Sequence, residues 1–275
     1  MKRKIIYRYL IVLGFPICMI YACSSMRSVA HKDNDVKKIT VMSYNVHHCN
    51  PPANPGVIDI AAIALVINEA KPDLVGLQEI DVNTVRSGKT VNQAAELARL
   101  TGMNYHFGKA IDYDGGEYGV AILSKYPMSD ARIYPLTSFA DLKGEPRVLL
   151  TANIRLASGR VIRFANTHLD AQKNPANRMA QIKDINVIAS KENLPFIITG
   201  DFNAYPESEV VKTMEGVFKR TCTECYPTIP ADKPTRSIDF IAFKRQDPFS
   251  LASHKVISAP YASDHLPVLS TLILK

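Results

Sequence analysis

Phe196-Ile197-Ile198-Thr199-Gly200-Asp201-Phe202-Asn203 is the stretch on which the fold turns. Four β-branched or aromatic residues in succession make a strand buried on both faces, too short and too uniformly apolar for an amphipathic helix. Gly200 ends the apolar run, and the chain passes at once into Asp201 and Asn203. On either side the period changes to that of a helix, over Pro175 to Ser190 before it and from Glu207 to Met214 after it. A buried strand between helices belongs in a sheet covered by helices.

The same alternation recurs along the chain. Ile39 to Tyr44 reads as a strand, Ile58 to Ala70 as an amphipathic helix closed by Lys71-Pro72, and Asp73 to Leu77 as a short buried strand. Val91 to Leu100 is helical, with Gly102 as its stop. Strands follow at Val120 to Leu123, Ala131 to Leu136, Val148 to Arg155 and Val161 to Thr167, with Ser158-Gly159 as a hairpin turn between the last two. Strand-like segments around Ile238 to Phe243, His254 to Ile257 and Val268 to Leu274 close the chain. The order predicts an α/β (or α+β) domain, two packed sheets with helices outside, over residues 38–275.

Polar residues gather where these strands end. Asn45 follows the first strand, Gln78-Glu79 the second, and Asn166, His168 and Asp170 the strand from Val161. Asp239 lies between apolar neighbours, and Ser263-Asp264-His265 precedes the last strand. Singly, each has an ordinary structural explanation: an Asp or Asn at a strand end is commonly a turn or cap residue. A carboxylate flanked like Asp239 needs a partner if buried. Together, six such segments at strand ends point to a site supported by rigid sheets.

Taken in order, Ser43-Tyr44-Asn45-Val46, Leu77-Gln78-Glu79, Asn166-Thr167-His168-Leu169, Gly200-Asp201-Phe202-Asn203, Ile238-Asp239-Phe240-Ile241 and Ser263-Asp264-His265 resemble the endonuclease/exonuclease/phosphatase superfamily across the whole domain. The resemblance implies a four-layer sandwich, with two central mixed β-sheets face to face and helices outside. It implies that Glu79 binds a divalent ion, Mg2+ with Mn2+ as a substitute, and that Asn45 and Asp264 complete or border that site. His265 is implied beside the scissile phosphate, oriented by Asp239. Asp201 and Asn203 are implied to position water and bind a phosphate oxygen, and His168 to assist the leaving group or stabilise charge. Glu117 is a candidate partner for His168. Hard oxygen ligands suit an ion that keeps waters and takes phosphate oxygens. Arg147 is open between a phosphate contact and a pair at a sheet edge, and Arg178 reads as structural. His47 and His48, read as extended chain, would point to opposite faces and not share a site.

Lys2, Arg3, Lys4 and Arg8 precede an apolar run from Tyr9 to Ala22 and then Cys23. This is the pattern of a signal peptide over residues 1–22, with Cys23 as the lipidated first residue of a bacterial lipoprotein and residues 23–37 as a tether; the alternative is an uncleaved anchor. Without the leader's four cations the net charge falls from +7 to +3. That balance gives little support to a nucleic-acid surface. Cys222-Thr223-Glu224-Cys225 could be half a zinc site or a redox pair, but no second ligand pair accompanies it, and in an exported chain a local disulfide is the plainer expectation.

The sequence thus predicts a monomeric enzyme of the cell envelope, anchored to a membrane by its N-terminal lipid. It would hydrolyse a phosphate ester, whether of a lipid, a sugar, an inositol or a nucleic acid. The alternatives are an extracytoplasmic nuclease and a non-catalytic binding protein on the same scaffold.

Overall fold

The computed structural model describes residues 37–275; the expected signal peptide, the lipidation expected at Cys23 and the tether before residue 37 lie outside the described residues. In chain order the elements are β1 (Lys37–Asn45), α1 (Ile60–Ala70), β2 (Leu74–Val82), α2 (Gln93–Thr101), β3 (Asn104–Tyr113), β4 (Gly116–Ser124), β5 (Met128–Pro135), β6 (Val148–Arg155), β7 (Val161–His168), α3 (Ala176–Ser190), β8 (Phe196–Asp201), α4 (Glu209–Met214), β9 (Phe218–Arg220), β10 (Asp239–Lys244), β11 (Phe249–Val256) and β12 (Val268–Leu274).

The strands form two six-stranded sheets, ordered β11-β12-β1-β2-β4-β3 and β5-β6-β7-β8-β10-β9. Both are mixed, because β1 and β2 run parallel in one and β7 and β8 run parallel in the other, among antiparallel neighbours. Ile39, Val41, Leu74 and Ile122 of the first sheet pack against Leu150, Phe164, Ile197 and Ile241 of the second. The outer face of the first sheet buries Ile63, Ile67 and Leu97 of α1 and α2, and that of the second buries Ile182, Ile185 and Val211 of α3 and α4. The fold is therefore a four-layer α/β sandwich with two mixed sheets at its centre.

Local signals explain most element ends. Asp59 Oδ1 accepts from Ala62 N at 2.9 Å and starts α1, and a left-handed Lys71 before Pro72 stops it. Gly102 takes the left-handed conformation after α2 (φ 67°). β3 has no counterpart in the sequence reading. It is an edge strand with half-exposed side chains, so its sequence carries little apolar signal. Cys222 and Cys225 form a disulfide, and Cys49 is free and buried.

Parallel pairing decides where the chemistry collects. β1 and β2 end on the same side, with Asn45 level with Gln78. β7 and β8 do the same, with His168 level with Asp201, while antiparallel β10 places Asp239 opposite Asp201.

Candidate active site

The strand ends converge on one buried network. Asn45 Nδ2 donates to Glu79 Oε1 (2.9 Å) and to Asp201 Oδ2 (3.1 Å), so one amide ties the two sheets together. Asp201 Oδ1 accepts from Asn203 N at 2.9 Å. Asn203, itself left-handed (φ 47°), donates through Nδ2 to Leu169 O and to His168 Nε2, both at 3.0 Å. His265 Nδ1 bonds Asp239 Oδ2 at 2.9 Å, which fixes the ring and leaves Nε2 facing Asp201 Oδ2 at 3.8 Å. Asp264 is held through its neighbour: Ser263 Oγ donates to Asn45 O at 2.8 Å, and Ala231 N donates to Asp264 O.

Burial sets the electrostatics. Burial, then the charge of Asp239, push the Asp201 carboxyl well above the usual carboxylate range. Burial opposes the His265 cation, but Asp239, Asp201 and Asp264 outweigh it and push that ring up to about 10. Burial and then Arg147 hold His168 neutral, well below the ordinary imidazole value.

All eight residues singled out in the sequence lie at this end of the sandwich. The suggested partner of His168 does not: Glu117 pairs with Lys109 at 3.2 Å, and His168 Nδ1 is buried without a hydrogen-bond partner. Arg147, left open by the sequence, is buried and pairs with Glu145 at 3.0 Å. Arg178 is structural, its Nη1 donating to Asp170 O and Gln172 O. His47 and His48 correct the expectation of extended chain. They lie in a 3-10 turn in which His47, His48 and Cys49 all have positive φ, which brings the two rings to 4.5 Å on one pocket wall.

The sequence reading missed Thr228, whose hydroxyl donates to Asp239 Oδ2. Nothing in its turn-rich surroundings marks it. Ser263 was visible beside Asp264, but only the packed structure brings it to Asn45 O.

Glu79 has a left-handed backbone (φ 60°) at a shift of register between β2 and β4. A non-glycine residue in that region costs roughly 1–3 kcal/mol and persists only where its surroundings dictate it. Its half-exposed carboxylate, with Asn45 and the half-exposed Asp264, is a set of hard oxygen donors that suits Mg2+ or Mn2+. Asp201, Asp239 and His265 also bring possible ligand atoms within 4.8 Å of one another. Both Asp201 oxygens are engaged there, with Asn45 and Asn203, and Asp239 Oδ2 is held by His265 and Thr228, while Asp239 Oδ1 is buried without a partner. Glu79 Oε2 and Asp264 Oδ2 are the half-exposed carboxylate oxygens left without a partner.

The model of the Endonuclease/Exonuclease/phosphatase family matches residues 42–265. No curated protein matches the chain. Among solved structures, an endonuclease/exonuclease/phosphatase from Beutenbergia cavernae is 22% identical, with 86% of this chain and 72% of that one covered and a TM-score of 0.73. A mannosyl-6-phosphatase from Bacteroides thetaiotaomicron is 20% identical over 86% of this chain and 100% of its own, with a TM-score of 0.70. The catalytic domain of human Nocturnin with bound sulfate is 19% identical over 86% and 95%, at a TM-score of 0.64. At these identities the likeness is one of fold.

Proposed function

Because the chain belongs to the endonuclease/exonuclease/phosphatase family, we propose that it is an exported, divalent-metal-dependent hydrolase of phosphate esters. The observation that carries this reading is the joining, through Asn45, of an open carboxylate at Glu79 to the buried Asp201, which His265–Asp239 faces. Glu79, Asn45 and Asp264 are the residues that would hold Mg2+ or Mn2+, which when bound offsets negative charge on the phosphoryl oxygens.

The chain's own groups account for the rest of the reaction. A water between His265 Nε2 and Asp201 Oδ2 would be oriented by both and would lose its proton to Asp201, or to His265 in those molecules whose ring is neutral, as its oxygen bonds to phosphorus. Asp239 holds the His265 tautomer that leaves Nε2 directed at that water. The Asn203 amide lines the same space, and its Nδ2–H now given to His168 Nε2 can turn to the charge that grows on a phosphoryl oxygen. The ester P–O bond breaks, the leaving oxygen takes a proton from solvent, and the base gives up to solvent the one it took from the attacking water.

Hydrolysis of p-nitrophenyl and bis-p-nitrophenyl phosphate, with and without chelator, tests the reading. It requires activity lost on chelation and restored by Mg2+ or Mn2+. Absence of any chelator-sensitive hydrolysis would leave the non-catalytic binding protein in its place. The near-neutral charge after the leader argues against a nucleic-acid substrate.

The export half of the proposal rests on the leader and on Cys23. Cys23→Ala should move the protein from the membrane fraction to the soluble fraction of the producing cell. Unchanged membrane retention would point to an uncleaved anchor instead.

A further inference from the structure

Beside Glu79 opens a cavity of about 180 Å3 lined by His47, His48, Glu79, Arg86, Tyr113, Tyr118 and Glu145. We propose that it seats the alcohol portion of the ester, and that this portion is compact and polyhydroxylated, the size of one sugar or cyclitol ring. The proposal rests on the phosphoester-hydrolase reading and narrows its substrate.

Its size is well below the roughly 300–1,000 Å3 of a drug-sized pocket, so it admits a single small group. No aliphatic side chain lines it, which disfavours an acyl chain. The cations at hand are spoken for. Arg86 is bidentate to Asp81 at 2.7 and 2.9 Å, and Arg147 is paired with Glu145, so a second phosphate would find no free charge. The Arg86 guanidinium lies 4.4 Å over the Tyr113 ring and covers the face on which a nucleobase would stack.

What remains is a rigid ring of mixed donors and acceptors, the arrangement that suits hydroxyl groups. His47 Nδ1 donates to Asn50 O, which leaves Nε2 as an acceptor. The His48 ring lines the cavity, and Tyr113 Oη receives only a long bond from Arg86 at 3.4 Å.

The test compares glucose 6-phosphate and myo-inositol 1-phosphate with p-nitrophenyl and bis-p-nitrophenyl phosphate in the wild type, Tyr113→Phe and His48→Asn. Asparagine is chosen because it tolerates the left-handed backbone of His48. Each variant should raise KM for the polyol phosphates by about fivefold to tenfold, the worth of one hydrogen bond, with kcat and the nitrophenyl esters little changed. Equal losses on both kinds of ester, or no loss on either, would overturn the subsite while the hydrolase reading stood. So would faster turnover of single-stranded DNA or a phospholipid than of either polyol phosphate. Failure to hydrolyse any of these esters would remove both readings together.

A second inference comes from the interior. β2 shifts register against β4 between Leu77 and Ile80, and Glu79 sits in that break. From the opposite sheet, Asn166 Nδ2 donates to Leu77 O (2.7 Å) and to Ala121 O (2.9 Å), the carbonyls of the last paired residues before the shift. Asn166 Oδ1 accepts from Gln78 Nε2 (2.6 Å) and Thr199 Oγ1 (3.2 Å), and the side chain is fully buried. Gly76 lets the sheets approach this closely, since a Cβ there would lie 2.0 Å from Thr199 Oγ1 and 2.7 Å from Asn166 Oδ1.

We infer that Asn166 is a positioning residue that fixes the break in β2 and so aims the Glu79 carboxylate. The test is Mn2+ binding followed by electron paramagnetic resonance in Asn166→Ala and in the milder Thr199→Val, with Ile162→Val as a control for lost stability alone. Mn2+ affinity should fall about tenfold or more in Asn166→Ala and less in Thr199→Val, and stay at the wild-type value in the control. Wild-type affinity in a folded Asn166→Ala, or in Thr199→Val should Asn166→Ala not fold, would overturn the inference. A wild-type protein that bound no Mn2+ would instead remove the metal reading.

Discussion

His265→Ala and Asp239→Asn are each expected to lower turnover by roughly 10²–10⁴-fold, the usual contribution of a positioned acid–base group. Asparagine is the cleaner change at position 239. It keeps the shape, and one oxygen acceptor, that Thr228 and His265 bind, and removes the charge that holds the imidazole with Nε2 toward Asp201. Alanine there would also leave two buried groups unpaired and confound activity with stability. Because Asp239 acts through His265, the double variant should be scarcely worse than either single one. The measurement is kcat on bis-p-nitrophenyl phosphate at saturating metal, with folding checked by circular dichroism. Near-normal turnover in both folded variants would remove this pair from the chemistry.

Glu79→Gln is expected to lower kcat/KM by roughly 10²–10³-fold at a Mg2+ concentration that saturates the wild type, since metal charge stabilisation is worth several kcal/mol. Glutamine fits the same backbone, so the left-handed conformation and the bond to Asn45 need not change. The loss should be partly recovered by raising Mg2+, which an acid–base defect at His265 would not show. Titration of activity against metal in the two variants separates these roles. An unchanged metal dependence in Glu79→Gln would move the ion away from this carboxylate.

The residues that gather at the candidate site were legible because they are polar types at the ends of apolar strands, and because sequential strands carry them in the order of the family the chain belongs to. Glu79, Asp201, Asp239 and His265 needed no knowledge of packing to be singled out. Where local sequence is silent, the reading failed. β3 was missed because an edge strand with Gly108 and half-exposed side chains lacks a clear alternation. Glu117 was a candidate partner for His168, but its register opposite Asp112 on β3 keeps it with Lys109. His47 and His48 were read as extended because periodicity cannot register three successive positive φ values.

By itself, then, the sequence determined the layers and the inventory: which segments are buried strands, which helices cover them, and which polar residues end each strand. Those follow from hydrophobic period and turn chemistry, which act over a few residues. Only the tertiary structure decided the partnerships. Asn45 bridging Glu79 and Asp201, Asn166 holding Leu77 and Ala121 from the other sheet, Thr228 behind Asp239, and Arg86 closing one face of the cavity beside Glu79 all join residues distant along the chain or turned by an unusual backbone. Such contacts depend on strand register and sheet-to-sheet approach, which are set by close packing of the whole core and leave no mark at the residues that use them.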